Sequence, residues 1–247
     1  MIGRPNVSAE EIGTLLEKDQ VLSAKVLRLA NSPFYGFPSR IASVAHAVVV
    51  LGLNVVKGLT LCATAFDMMR NAGMNELWRH SLGVAMTAHI LGTKAAMKNP
   101  EEVFVAGLLH DIGKVVLYVK WPDVGQQITT VTRNTSRPLM DTEQELFEVT
   151  HADVGGWLAS AWHLPTSLRE PILHHHTPAA AQDAKLQTAI VHVADVLVKG
   201  LACGNPGDDL VPPLSRQAWD LVGLDAQSLA HCLTQATEEF QTIDDYL

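Results

Sequence analysis

The stretch Leu108-Leu109-His110-Asp111-Ile112-Gly113-Lys114 is the most informative part of this sequence. It follows an apolar run for which Asn99 and Pro100 predict a helix start, with Asn99 as N-cap and Pro100 in the first turn. A histidine and an aspartate side by side at a helix end can both reach one ion. Imidazole and carboxylate together suit Fe, Mn, Co, Ni or Zn, and a shared aspartate can hold two cations for phosphate-ester hydrolysis.

Further candidate metal ligands lie on both sides of this stretch. His80 and Asp195 are on separate predicted long helices, which could deliver one ligand each to the same point. The other candidates are His151 and the consecutive His174-His175-His176. A single histidine on a helix more often packs in the core or lies on the surface. We assign that simpler role to His46, His89, His163, His192 and His231.

The composition of the chain predicts a helical protein. Its 247 residues are 47% hydrophobic but only 6% aromatic, which favours helices over a β-sandwich. Without a glycine-rich loop after a predicted strand, Rossmann and P-loop folds are excluded. A net charge of −8 argues against a nucleic-acid partner. Three widely spaced cysteines predict no disulfide framework and a cytoplasmic protein.

The apolar stretch 41–66 approaches the length of a membrane span. It contains His46, Asn54 and Lys57, which would be costly in lipid, and two glycines interrupt it. We therefore expect two helices with a break near residues 51–53 and no membrane association.

Local patterns predict where the other helices begin and end. The segment 8–11 is a capping box, Asp19 caps the next helix, and Ser43 begins the apolar pair. Later helices are expected at 76–97, 99–109, from the cap Asp141 to 149, 151–162, 167–176, 185–201, 215–222 and 226–240. The segment 129–137 is expected to be a looser connection. The aromatic loop 33–38 is either a contact surface or a plug between lobes.

Several motifs resemble those of the HDOD domain, an HD-related output domain of bacterial signalling proteins. They are V-L-R-L-A-N-S-P-F-Y-G (26–36), I-A-S-V-A-H-A-V-V-V-L-G (41–52), L-L-H-D-I-G-K (108–114), H-A-D-V-G-G-W-L (151–158), W-H-L-P (162–165) and H-H-T-P (175–178). The resemblance covers roughly residues 8–200. It implies an all-α, multi-helix HD-like bundle with an additional N-terminal helical lobe. We divide the chain into that lobe (1–70), the HD-like lobe (71–202) and C-terminal helices that pack on it (203–247).

The resemblance also implies one or two divalent transition metal ions, with Fe or Mn favoured over Zn or Mg. One ion would take His80, His110, Asp111 and Asp195, and a second would share Asp111 and take His151, His175 and His176. Glu76, one turn before His80, is either a further ligand, a partner that holds His80, or a surface residue. Asp111 is a candidate catalytic residue, and Lys114 either binds a phosphate or is the basic end of a helix.

Two functions are compatible with these residues. The first is a signalling output domain that keeps its metal site, binds signalling proteins or a small phosphorylated ligand, and forms a homodimer. The second is a metal-dependent phosphohydrolase, in which His175 or His176, if not a ligand, could act as general acid. The related HD-GYP phosphodiesterases follow their histidine pair with G-Y-P. Here Thr177-Pro178-Ala179 follows instead, which argues against cyclic di-GMP as the substrate.

Overall fold

A computed structural model describes residues 19–32 and 39–241, and all regular structure in those ranges is helical. The α-helices are α1 Gln20–Ala30, α2 Val44–Leu51, α3 Leu53–Asn71, α4 Asn75–Lys94, α5 Pro100–Leu109, α6 Ile112–Lys120, α7 Pro122–Thr135, α8 Leu139–Phe147, α9 His151–Ala161, α10 Thr166–His174, α11 Lys185–Gly200, α12 Arg216–Val222 and α13 Ala226–Phe240. A short 3₁₀ helix, Pro178–Ala180, lies between α10 and α11. The predicted all-α class is confirmed. The predicted capping box at 8–11 and the loop 33–38 lie outside the described residues.

The first helices begin where the sequence predicts. The side chain of Asp19 accepts a hydrogen bond from the Leu22 amide, and that of Ser43 accepts one from the His46 amide. Gly52, with a φ of 85°, separates α2 from α3, because this left-handed backbone favours glycine and ends the helix. The apolar stretch is thus two helices. Among the described helices, none is long and apolar enough to cross a membrane.

Three local predictions differ from the structure. The segment 129–137 was expected to be a loose connection, but most of it belongs to α7, which buries Ile128 and Thr132. Asp141 was expected to cap a helix, but α8 begins two residues earlier, at Leu139. Asn99 does occupy the N-cap position of α5, yet its side chain makes no capping hydrogen bond.

Helix α4 lies at the centre of the bundle, packed against α5, α11 and α13. Its close contact with α5 depends on Gly107, where an added Cβ would lie 2.7 Å from the Ala85 Cα. One continuous core includes Val56, Ala85 and Ala236, one from each of the three parts predicted from the sequence. The division into those parts remains a prediction.

Candidate metal centre

The junction between α5 and α6 places two adjacent ligand side chains in the core. Helix α5 ends at Leu109 and α6 begins at Ile112, so His110 and Asp111 form the turn between them. The His110 Nδ1 lies 2.7 Å from the Gly107 carbonyl, which directs its Nε2 inwards. The backbone of Asp111 leaves the helical region, with φ −97° and ψ 14°. Both side chains therefore reach the same point, as their adjacency predicted.

One group of ligand atoms forms around this turn from α4 and α11. The Nε2 of His80 lies 3.0 Å from Asp195 Oδ1 and 3.9 Å from Asp111 Oδ2. The Nε2 of His110 lies 3.3 Å from the same Asp111 oxygen. Ligand atoms of His80, His110 and Asp195 all lie within 4.8 Å of one another, close enough to hold one metal ion.

A second group lies on the other side of Asp111. The Nε2 atoms of His151 and His175 lie 3.3 and 3.8 Å from Asp111 Oδ1, and His151 Nε2 lies 3.0 Å from His176 Nε2. The two oxygens of Asp111 thus face different groups, which is the geometry of a bridging carboxylate. Of the three consecutive histidines, His174 is in neither group.

Several ligand atoms are left without a hydrogen bond, and this supports a metal at the centre. His110 Nε2, His175 Nε2 and Asp111 Oδ1 are fully buried and make no hydrogen bond within the described part of the chain. A buried polar atom without a partner is costly. Coordination of a cation would satisfy all three atoms, so the residues present fit the metal that the sequence implies.

The pKa shifts of three of these groups favour the charge states of metal ligands. Burial alone raises the pKa of Asp111, but His110 and Lys114 outweigh burial and hold that pKa well below its usual range. Burial also raises the pKa of Asp195, but the contact with His80 outweighs burial and holds that pKa well below its usual value. Burial lowers the pKa of His175 well below its usual value. Two carboxylates are therefore ionised and His175 is neutral, the forms that bind cations.

Lys114 lies between the candidate centre and two cavities. Its ammonium is buried and donates to Asp111 Oδ2 at 2.8 Å. The side chain lines two cavities of about 570 and 420 Å³. The smaller cavity is also lined by His151 and His176, so it gives access to the second group.

Of the three alternatives left open for Glu76, the structure shows a surface residue, and it brings another glutamate, Glu143, to the candidate centre. Glu76 is exposed and lies in neither ligand group, and its backbone carbonyl accepts a hydrogen bond from Asn205. Glu143, which sequence reasoning missed, is fully buried and contacts His151. It stands in the charged segment D-T-E-Q-E, where a glutamate is normally solvent-exposed, so no sequence signal marks it.

The histidines that we assigned to simpler roles lie outside the two groups. His46, His163 and His231 are exposed. His89 packs edge-on against Phe104, with ring centroids 6.3 Å apart. The buried His192 has its Nδ1 2.7 Å from the His175 carbonyl, and its Nε2 accepts from the Ser215 amide.

Comparison with known proteins shows the family and the fold of this chain. A family profile described as HDOD domain matches residues 1–178. An uncharacterised protein from Treponema pallidum (strain Nichols) is 25% identical over 85% of this chain, and the chain spans 42% of that relative's length.

Solved structures share the fold. An HDOD domain protein of unknown function from Geobacter sulfurreducens is 28% identical, with a TM-score of 0.76 over 100% of this chain and 89% of that one. A candidate phosphohydrolase from Shewanella amazonensis is 23% identical, with a TM-score of 0.69 over 100% and 90% of the two chains. A candidate signal transduction protein from Marinobacter aquaeolei is 20% identical, with a TM-score of 0.69 over 99% and 55%.

Proposed function

This chain belongs to the HDOD domain family, and from that premise we propose that it is a cytoplasmic signalling output domain that has kept an HD-type metal centre. In this proposal the centre holds one or two divalent transition metal ions, with Fe or Mn favoured over Zn or Mg, as the resemblance to the family implies. The first ion binds His80, His110, Asp111 and Asp195. The second shares Asp111 and binds His151, His175 and His176.

The observation that supports a regulatory role is the closure of the centre. His80, His110, Asp111, His151, His175 and Asp195 expose at most 2% of their surface, and of the proposed ligands only His176 is half-buried, beside the cavity of about 420 Å³. Structural metal sites are closed, whereas catalytic sites keep an open position for water and substrate. Lys114, which could bind a phosphate, is instead paired with Asp111. A closed centre favours a metal that sets the conformation of a domain whose surface binds signalling proteins.

A specific observation favours a second candidate, a metal-dependent phosphohydrolase. The cavity of about 420 Å³ beside His151, His176 and Lys114 could admit a small phosphorylated ligand. A bound metal would supply a hydroxide nucleophile by lowering the pKa of its water. Asp111 would position both cations, and Lys114 would face the phosphate. The absence of G-Y-P after the histidine pair argues against cyclic di-GMP as that ligand.

Metal content and turnover separate these candidates. The protein, purified without chelator, is expected to hold one or two equivalents of metal by mass spectrometry. Asp111→Asn keeps the side-chain volume and is expected to lose most of that metal, whereas His231→Gln, an exposed control, keeps it. Absence of stoichiometric metal would contradict both candidates.

We expect no hydrolysis of bis(p-nitrophenyl) phosphate or cyclic dinucleotides by the metal-loaded protein. Turnover that is retained by His231→Gln but abolished by Asp111→Asn would favour the phosphohydrolase instead.

A further inference from the structure

Glu143 is a buried acid that makes two hydrogen bonds to one candidate ligand. It lies on α8 with 0% of its surface exposed. Its Oε2 accepts from the His151 amide at 2.9 Å and lies 2.6 Å from His151 Nδ1. Helix α9 begins at His151, so this one carboxylate oxygen binds the first amide of the helix and orients its first side chain.

The contact differs from those of the other ligand histidines. The Nδ1 atoms of His110 and His175 lie 2.7 and 2.9 Å from backbone carbonyls, of Gly107 and Ile172. In the described ranges, His151 is the one ligand histidine whose Nδ1 faces a carboxylate. A carboxylate acceptor fixes the ring tautomer and makes the opposite nitrogen a stronger metal ligand than a neutral carbonyl does.

Charge gives a reason for this difference. The first ligand group includes the carboxylate of Asp195 and shares that of Asp111. The second group has three imidazoles and only the shared Asp111, although it would hold a cation of the same charge. A negative charge next to His151 compensates for the missing carboxylate ligand.

We propose that Glu143 is the positioning residue of the second cation. It holds His151 with Nδ1 protonated and Nε2 directed at Asp111 Oδ1, and it supplies negative charge that the three imidazoles lack. This inference rests on the proposed function, since it requires a metal centre. It goes beyond that function because binding of the second cation, but not of the first, is expected to depend on Glu143.

A matched pair of variants on α8 tests this role. Glu143→Gln keeps the volume and a hydrogen-bond acceptor but removes the charge. Glu145→Gln is the control, because Glu145 is on the same helix but its side chain is 60% exposed, paired with Arg137. The readouts are metal content of each purified protein and resistance of the bound metal to a competing chelator. Thermal unfolding of the metal-free proteins checks that folding is intact.

We expect two equivalents of metal in the wild type and in Glu145→Gln. Glu143→Gln is expected to keep one equivalent, with the affinity for the second weakened about 10- to 100-fold. A merely structural role would lower the unfolding temperature of the metal-free protein without this selective loss.

The outcomes distinguish this inference from the proposed function. A wild type without metal contradicts the proposed function. A wild type with metal, together with a Glu143→Gln variant of unchanged content and chelator resistance, overturns only the role of Glu143. If Glu143→Gln does not fold, Glu143→Asp keeps the charge but shortens the reach. Second-cation binding by Glu143→Asp equal to that of the wild type would overturn the inference, and weaker binding would support it.

Discussion

Replacing Gly113 with alanine should push helices α6 and α9 apart. These two helices position Asp111 and His151. Gly113 lies on α6 two residues after Asp111, where α6 crosses the start of α9. An added Cβ would overlap the His151 carbonyl, lying 2.8 Å from its carbon and 2.9 Å from the Gly155 nitrogen. These are backbone atoms, so no side chain can turn away to make room.

The size of the effect follows from these distances. Optimal contact between carbon atoms requires about 3.5–4.0 Å, so the helices must move apart by roughly 1 Å. Overpacking of a tight core costs about 1–3 kcal/mol, and we expect the upper end here because backbone has to move. A functional site tolerates only about 0.5 Å of displacement. The second cation should therefore be lost together with about 3 kcal/mol of stability.

Urea unfolding measures the loss of stability, and metal analysis measures the loss of the second cation, in the wild type, Gly113→Ala and Gly200→Ala. With a slope of about 3 kcal/mol/M, Gly113→Ala should lower the urea midpoint by about 1 M. Gly200→Ala is the control: Gly200 is the last residue of α11, and an added Cβ there has no neighbour within 4 Å. That variant should be neutral or more stable by up to about 1 kcal/mol, since alanine is the better helix former. A Gly113→Ala protein with wild-type stability and metal content would refute the close packing of α6 and α9.

Three further predictions concern buried or half-buried polar groups away from the ligands. Burial lowers the pKa of His89 to about 4 in the folded protein. As the pH falls below 6.5, the unfolded chain binds a proton at this histidine before the folded protein does, so the free energy of unfolding decreases. Between pH 8 and pH 5 the wild type should lose about 2 kcal/mol more than His89→Gln in urea unfolding; equal losses would contradict this. Asp208→Ala should lower the free energy of unfolding by about 2–3 kcal/mol, because this carboxylate binds Lys199 and two backbone amides. As a control, replacement of the exposed Asp209 with alanine should lower it by under about 0.5 kcal/mol, and similar urea midpoints for the two variants would refute the prediction. Glu170→Ala removes the acceptor for three consecutive amides, 182–184, and should lower the free energy of unfolding by about 2 kcal/mol, with Glu170→Gln nearer the wild type; the reverse order would count against this.

The sequence predicted helix boundaries wherever the cap is local. Asp19 and Ser43 accept hydrogen bonds from amides three residues ahead, so the pattern and the contact lie in the same short segment. The start of α8 could not be found in this way. Its first amide, that of Leu139, donates to the side chain of Asp208, which is 69 residues away in sequence. The local candidate, Asp141, therefore misled the prediction.

The sequence did not predict helix α7, because the contacts that stabilise this helix are not local either. Its threonines have low helix propensity, which favours a loop when the segment is read alone. In the fold, α7 packs on α6 and α8, and the hydroxyls of Thr129 and Thr135 donate to carbonyls four residues earlier. Packing of the buried face around Ile128 outweighs the local preference.

For the candidate centre, the sequence identified the histidines and aspartates that the structure brings together. Five of them lie in the HDOD motifs, and His80 and Asp195 lie on separate predicted helices. The sequence could not distinguish Glu76 from Glu143, although the two have opposite environments. Glu76 is one turn from His80 on the same helix, but its side chain is exposed. Glu143 reaches His151 only because α8 and α9 fold together at their junction, and spacing along one helix contains no information about that.

The fold and the candidate centre depend on the same close contacts. Asp111 can face two ligand groups only if α6 lies against α9, and the backbones approach closely there because Gly113 has no side chain. The same packing buries the Asp111 carboxylate with Lys114 as its direct cationic partner. Removing a cation from such a site leaves ligand atoms without partners in the core, which is costly. A metal bound there, as proposed, would couple binding to folding, so that occupancy of the centre would change the stability of the surrounding helices. Under the proposed signalling function, such a domain would transmit the state of a bound ion to its surface through the packing of these helices.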